Sequence, residues 1–305
     1  MYGVVTFGLS LPMPLPQPSA VVTAIALKHG AASCGAIPVR ELKEYKRFAG
    51  AVKNAPPDLA YLGRSAAVRE SVGNRFASAR SVLVCAFQYW HSGRDYDGVL
   101  KKAGEPRAYL ERTGRKVRQP GLASVVKAAG AAPKISRYAL VPDYHKVIRK
   151  KLKEILAGIQ NIRPGADGKI FVDTSPVMEK ELGRLAGLGC RGKNTLLISE
   201  ELGSYFFIGG LALNFDAGQV PPRVSEAGCG DCRRCIDACP TGALSEPGVL
   251  KPELCISYWT TQSKERMPEG LQARAGGFVY GCDLCQEACP YNGKTEDKVL
   301  KEFQF

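Results

Sequence analysis

The chain has 305 residues, 45% of them hydrophobic and 23% charged, with a formal net charge of +13. These are the proportions of a soluble globular protein, and the length is that of one large or two ordinary domains. No run of about 18 apolar residues occurs, which argues against a membrane span.

Taken in order, residues 1–35 read as a poorly structured leader. Met1 to Leu27 carries no charge and includes Pro12, Pro14, Pro16 and Pro18. It has no basic start, and its prolines interrupt the apolar run, so it is not a secretory signal. Residues 38–80 carry mainly helical signals. Pro38 suits a first helical turn over 38–42, Pro56 and Pro57 break the pattern, and Asp58 is placed to cap 59–62. Residues 81–89 form a continuous apolar run rich in β-branched residues, a buried strand with Cys85 in the core.

Residues 91–133 break the pattern, with glycines at 93, 98, 104, 114, 121 and 130 among many Lys and Arg. They read as an exposed basic insertion with one short helix near 108–112. Residues 91–160 hold 16 Lys or Arg against 6 Asp or Glu, whereas residues 221–305 hold 10 against 12. A localised basic excess suits a polyanion such as RNA, or is simply a solvated face.

From Asp143 to Gln160, the residues Val147, Ile148, Leu152, Ile155, Leu156 and Ile159 recur at helical spacing, with Lys and Arg opposite. This predicts an amphipathic helix capped by Asp143. Residues 170–173 predict a short strand ending in Asp173, followed by a turn and a helix over 177–188. Asp173 either caps that helix or presents an acid to a crevice at the strand end. Gly187, Gly189 and Gly192, with Lys193 and Asn194, form a tight loop that lets backbone approach a ligand. Two strands, 195–198 and 204–208, turn at Gly203, and Pro221-Pro222 marks a break.

The last stretch holds eight of the eleven cysteines. Cys229, Cys232, Cys235 and Cys239 read C-x2-C-x2-C-x3-C, followed by Pro240. In that spacing three thiolates wrap one cubane and the fourth reaches another. Cys282, Cys285 and Cys289, followed by Pro290, repeat its end, and Cys255 stands in for the missing first ligand. The spacing assigns Cys229, Cys232, Cys235 and Cys289 to one [4Fe-4S] cluster, and Cys239, Cys255, Cys282 and Cys285 to a second. Zinc sites also use C-x2-C pairs, but they need neither a third cysteine at the same spacing nor the proline. Disulfides fit poorly with thiols so close in a reducing compartment.

Asp143-Tyr144-His145-Lys146-Val147, Asp173-Thr174-Ser175-Pro176-Val177-Met178-Glu179-Lys180 and Gly187-Leu188-Gly189-Cys190-Arg191-Gly192-Lys193-Asn194-Thr195 together resemble the epoxyqueuosine reductases. So do Cys255-Ile256-Ser257-Tyr258-Trp259-Thr260 and Tyr280-Gly281-Cys282-Asp283-Leu284-Cys285-Gln286. The resemblance implies an α+β fold: a flavin-reductase-like cobalamin-binding domain over 36–220, carrying the 91–133 insertion, then a ferredoxin-like 2[4Fe-4S] domain over 221–305. It implies an oxidoreductase of queuosine biosynthesis that removes the epoxide of epoxyqueuosine in tRNA. Its cofactors would be cobalamin and two [4Fe-4S] clusters, fed by an external low-potential donor of flavodoxin or ferredoxin type. A cytoplasmic monomer with no membrane contact is expected. Asp173 would be the catalytic acid, with Arg64, Arg137, Tyr144, Asp173, Leu197, Ile208 and Ser257 at the cobalamin.

Arg69 and Lys193 are further candidates for the cobalamin amides, its phosphate or the tRNA backbone. The D-x-H-x-x-G signature that brings a histidine to cobalt is absent, and the histidines are His29, His91 and His145, so cobalt without a histidine ligand is expected. His145 reads as a structural residue at a helix start. Three departures from the family pattern stand out: Cys190 where an aromatic residue is usual, the insertion, and an end at Phe305 without C-terminal helical repeats. That shortening keeps open a related corrinoid iron–sulfur reductase acting on a small molecule. A non-catalytic ferredoxin-type carrier would leave the upstream domain unexplained.

Overall fold

The computed structural model describes residues 17–219 and 228–304; the expected leader's first 16 residues and the Pro221-Pro222 break lie outside them. Among the described residues the strands are β1 (Ser33–Pro38), β2 (Ser81–Gln88), β3 (Lys134–Ile135), β4 (Gly168–Val172), β5 (Cys190–Arg191), β6 (Leu197–Ile198), β7 (Phe206–Leu213) and β8 (Phe278–Tyr280). A four-stranded antiparallel sheet of order β1-β2-β7-β4 forms the centre. With helices covering both faces and strands antiparallel, the architecture is mixed α and β.

Alternation along β2 explains the two layers. Leu83, Cys85 and Phe87 point to one face, with Leu211 and Leu213 of β7. Val82, Val84 and Ala86 point to the other. Every residue of β2 is buried, so its run reads as continuously apolar although the sheet is antiparallel. The first face receives the helix Tyr144–Ile162 through Ile148, Leu152, Ile155 and Ile159. Asp143 caps this helix, its carboxylate accepting from the His145 amide. The second face receives the helix Glu179–Leu185 through Leu182. In β7 a Cβ at Gly210 would stand 2.3 Å from the Leu83 carbonyl oxygen, so a side chain there cannot be accommodated without moving the backbone.

Two sequence expectations fail. The leader reading ends too late, because Pro18–Lys28 is a helix with Pro18 in its first turn, and β1 follows at the sheet edge. Val22 and Ala26 bury against the same core as Ile155. The 91–133 segment is not an exposed insertion either. It holds three helices, Tyr96–Ala103, Pro106–Arg112 and Leu122–Ala128, whose Val99, Tyr109, Leu110, Leu122 and Val126 join the main core. Gly104, Gly114 and Gly130 have φ of 82°, 76° and 76° and end helices there, so they punctuate rather than loosen the segment.

Smaller differences have local causes. Pro38 closes β1 instead of opening a helix, and the next full helix is Tyr45–Lys53. Asp58 caps nothing near it; its Oδ2 accepts from the Lys264 amide, 206 positions away. The strand expected over 204–208 runs on to Leu213, because β2 and β4 flank it on both sides.

The cysteine-bearing segment packs against the sheet domain. β3 pairs in parallel with β8. Residues 296–303 return to β2: Gln88 Oε1 accepts from the Lys298 amide, the Leu300 amide donates to the Gln88 carbonyl, and Phe303 is fully buried.

Candidate functional site

Two cavities are walled by cysteines. The first, about 320 Å³, is lined by Cys229, Cys232, Cys235 and Cys289, with Lys193 and Asn194. The second, about 390 Å³, is lined by Cys239, Cys255, Cys282 and Cys285, with Ser257 and Tyr138. Among the described residues no three His, Cys, Asp or Glu converge as the ligands of a single ion do; each cysteine set encloses a space instead. Burial pushes the Cys285 thiol up to about 12 and Cys282 further, so thiolates here need a cationic partner. Burial also acts on Cys239. There it is outweighed by hydrogen bonds from the Thr241 side chain and from the amides of Leu244, Thr241 and Ala243, which lower its pKa.

The Gly187–Asn194 loop supplies the wall between the cavities. Asn194 is buried, lines both, and its Nδ2 donates to the Cys285 carbonyl at 3.4 Å. The Lys193 amide donates to Cys229 Sγ at 3.4 Å, an N–H···S contact of the kind that sets cluster potential. Lys193 Nζ donates to the Gly230 carbonyl at 2.5 Å, so this lysine braces the cysteine loop. Cys190 lies within electrostatic reach of Cys229 and Cys289, which puts it near the first cavity.

A third cavity, about 520 Å³, shares Lys180, Thr195, Leu196 and Leu250 with the second, and the two form one cleft. Of the residues expected at a cofactor, Leu197 and Arg69 line the third cavity and Ser257 the second. Arg64 ends the helix Ala60–Arg64, is exposed and lines neither. Ile208 packs half-buried against the core on β7, away from both cavity walls.

Arg137 is also elsewhere. Its Nη1 meets Asp283 Oδ2 at 3.2 Å and Glu287 Oε1 at 2.6 Å, and its guanidinium lies over Tyr96 at 4.4 Å. Asp283 is fully buried between Cys282 and Cys285, and accepts from the Ser136 hydroxyl and the Arg137 amide. Arg137 thus anchors the cysteine turn rather than facing the cleft. Replacing it with Met leaves Asp283 buried without its cation, a loss of roughly 3–5 kcal/mol. The expected result is a lower melting temperature and reduced iron retention at the second set, read by calorimetry and metal analysis.

Asp173 directly follows β4 with φ of 49°, a left-handed conformation uncommon outside glycine and often found at functional sites. It does not cap the following helix. Its Oδ2 accepts from Tyr144 Oη at 2.9 Å and lies 3.1 Å from His145 Nε2. His145 Nδ1 is 3.1 Å from Asp143 Oδ1, which fixes the ring between two acids. The Tyr144 ring stacks between His145 and Phe207, each 4.1 Å away. Burial first, and then the Asp173 charge, hold the Tyr144 phenol well above its ordinary pKa, so it stays a hydrogen-bond donor. Sequence reasoning found Asp173 and Tyr144 but gave His145 no part in their network; only the fold brings positions 28 apart together.

Glu179 and Lys180 end the Asp173–Lys180 motif, in which sequence alone assigns them no role. Both line the third cavity. Protein packed around Lys180 Nζ holds that ammonium below the ordinary lysine range, although the residue is exposed along the cleft. It lies within electrostatic reach of Glu179, Cys285 and Asp173, and so links the acid side of the cleft to the second cysteine set.

The matches to known proteins fall on these elements. The model described as "4Fe-4S double cluster binding domain" matches residues 228–292. The fold and this match define the class first: an iron–sulfur protein with a double-cluster domain packed on a mixed α/β sheet domain. The model "Epoxyqueuosine reductase QueG, DUF1730" matches residues 69–174, straight across the segment first read as an insertion. The chain is 40% identical over 208 residues to an epoxyqueuosine reductase of Gloeobacter violaceus, covering 64% of this chain and 65% of that one. It is 42% identical over 169 residues to the epoxyqueuosine reductase of Escherichia coli, covering 55% and 44%.

A crystal structure of selenomethionine-labeled epoxyqueuosine reductase superposes with a TM-score of 0.67 at 25% identity, over 90% of this chain and 66% of that one. An epoxyqueuosine reductase solved with an epoxyqueuosine-modified tRNA stem loop gives 0.65 at 24%, over 92% and 67%, a likeness of fold. The chain is thus similar to the epoxyqueuosine reductases over both matched segments, and it spans less than two thirds of the length of the curated relatives it matches. No helix among the described residues is long and apolar enough to cross a membrane.

Proposed function

We propose that this chain is a cytoplasmic oxidoreductase that reduces the epoxide of epoxyqueuosine in tRNA to the alkene of queuosine, using cobalamin and two [4Fe-4S] clusters. The observation that carries this reading is the gathering of eight cysteines into two four-cysteine cavities, the second of which opens into a cleft lined by Lys180, within electrostatic reach of Asp173. In domain terms, 36–220 is the cobalamin-binding part and 221–305 the ferredoxin-like part.

The residues fit the groups they would hold. Each cysteine set surrounds a space rather than a point, as a cubane needs and a zinc ion does not. The joined second and third cavities offer a long cleft for a corrin, with Leu197 and Ser257 on its walls. Arg69 Nε is buried there without a hydrogen-bond partner, a donor suited to a corrin side-chain amide. Bound there, cobalamin would supply a strongly reducing centre that accumulates electrons relayed singly by the clusters from a flavodoxin- or ferredoxin-type donor.

The chain's own residues manage the protons. Removing an epoxide oxygen as water takes two electrons and two protons and leaves a carbon–carbon double bond. Asp173 is the acid for the oxygen that leaves, and Tyr144 and His145 hold its carboxyl in place through Oδ2. The exposed Lys146, Arg149, Lys150 and Lys153 lie along the helix that begins at Tyr144, and Arg149 Nη2 reaches Thr174 Oγ1 at 3.4 Å. These cations suit an RNA backbone whose modified base enters beside Asp173.

The test is anaerobic reconstitution of the chain with iron, sulfide and cobalamin. A low-potential reductant and tRNA bearing epoxyqueuosine are then added, and queuosine is sought by mass spectrometry. Product is expected. A fully loaded protein that makes none overturns the reading and points to a small-molecule substrate.

A further inference from the structure

We infer that Glu179 holds the second proton of this reaction and delivers it through the Asp173–Tyr144–His145 network. The inference rests on the epoxide-reduction reading. It makes Glu179 a positioning residue, because it acts through Asp173.

Three observations converge on it. Glu179 lines the largest cavity of the cleft, and its Oε1 is buried without a hydrogen-bond partner among the described residues. An orphaned buried carboxyl oxygen is rare enough in folded proteins to demand a reason. Glu179 also follows Asp173 by six positions, past a short turn, and is within electrostatic reach of both Asp173 and Tyr144. Two of the other charges around the cavity are matched elsewhere, Arg191 with Glu44 and Arg184 with Glu181, whereas Arg69 and Lys180 are the lining cations that act on Glu179.

The groups that act on Glu179 explain its state. Burial pushes its carboxyl up to about 8, the Asp173 charge adds to that, and its own backbone amide, Arg69 and Lys180 pull it part of the way back. A carboxyl kept neutral at cellular pH is a usable acid, whereas an ordinary exposed glutamate has already lost its proton. The balance then closes. Both epoxide C–O bonds break, two electrons come from the external low-potential donor, one proton comes from Asp173 and one from Glu179, and the oxygen leaves as water. Both carboxylates regain protons from solvent.

The test compares the parent chain with Glu179→Gln, which keeps the shape but carries no transferable proton, and with Glu179→Asp as the conservative rescue. Single-turnover reduction is followed from pH 6 to 9.5 in reconstituted protein, with thermal melting over the same range. The parent should slow as pH rises through about 8, when Glu179 ionises. Glu179→Gln should be about 100-fold slower near neutrality, with that limb missing, and Glu179→Asp should restore part of the rate and the limb. Melting gives a readout that needs no substrate. A carboxyl with a raised folded-state pKa costs stability as pH rises from 4.5, where the unfolded chain ionises, to about 8, so Glu179→Gln should already melt above the parent at pH 6, and its advantage should grow to about pH 8 and then stay level. Parent-like rate and pH profile in Glu179→Gln, or a Glu179 that ionises near 4.5, overturns the proposal while the function stands. Failure of all three proteins to reduce the epoxide removes the function and the proposal together.

Discussion

Asp173→Asn should reduce epoxide turnover by about 10³-fold, within the usual range for a general acid, while leaving the absorption and paramagnetic spectra of both clusters unchanged. The side chain is 61% exposed, so little packing is lost. Asparagine also tolerates the left-handed backbone at φ 49° better than alanine would, which keeps the turn after β4 intact. What changes is chemical. The amide accepts from Tyr144 in the same place but has no acidic proton to give. His145 and Tyr144 then hold an inert group, and their own substitution should cost less than that of Asp173, since they orient it. Turnover within a few-fold of the parent would remove Asp173 from the acid role and leave its network a structural one.

Cys255→Ser should separate the two metal sites. Iron should fall from about eight to about four atoms per chain, if each set holds one cubane, and reduction should be lost. Cys232→Ser should cause the complementary loss, because Cys232 lines the other cavity. The separation is expected because Asn194 stands between the sets, so one set can stay folded around its metal when the other is broken. Burial holds the Cys255, Cys282 and Cys285 thiols above their ordinary pKa. The second site should therefore refill with metal poorly at low pH, where the thiols stay protonated. Full iron content in Cys255→Ser would exclude Cys255 as a ligand, and zinc without sulfide in the parent would exclude clusters altogether.

The cysteine sets were legible in the sequence because ligand spacing within a loop is local chemistry. The same four-and-four grouping lines the two cavities. The helix from Tyr144 was legible because six apolar residues share one face and Asp143 caps it. Partners distant in sequence were not. Arg137 carries a charge that suits a cofactor, and nothing near it in the chain shows that Asp283, 146 positions on, claims it. The 91–133 segment departs from that expectation because glycine content and charge ignore position: Gly104, Gly114 and Gly130 end helices, and the apolar residues fall one turn apart inside them. Pro18 reads as a breaker in the sequence, yet it opens a helix. Glu179 stood in a quoted motif, but only the fold shows that one of its oxygens has no partner.

The return of residues 296–303 to β2 sets an order of manufacture. Gln88 and Lys298 are 210 positions apart, yet the Gln88 side chain accepts from the Lys298 amide, and Phe303 lies fully buried against Phe207. A ribosome releases β2 long before it makes these partners, so the nascent sheet leaves one wall open to water. That wall closes only after all eight cysteines have emerged. Metal delivery and the sealing of the core thus fall in the same late interval of synthesis, and a chain stalled just short of Phe303 would present both bare thiols and an unsealed apolar face to the quality-control machinery.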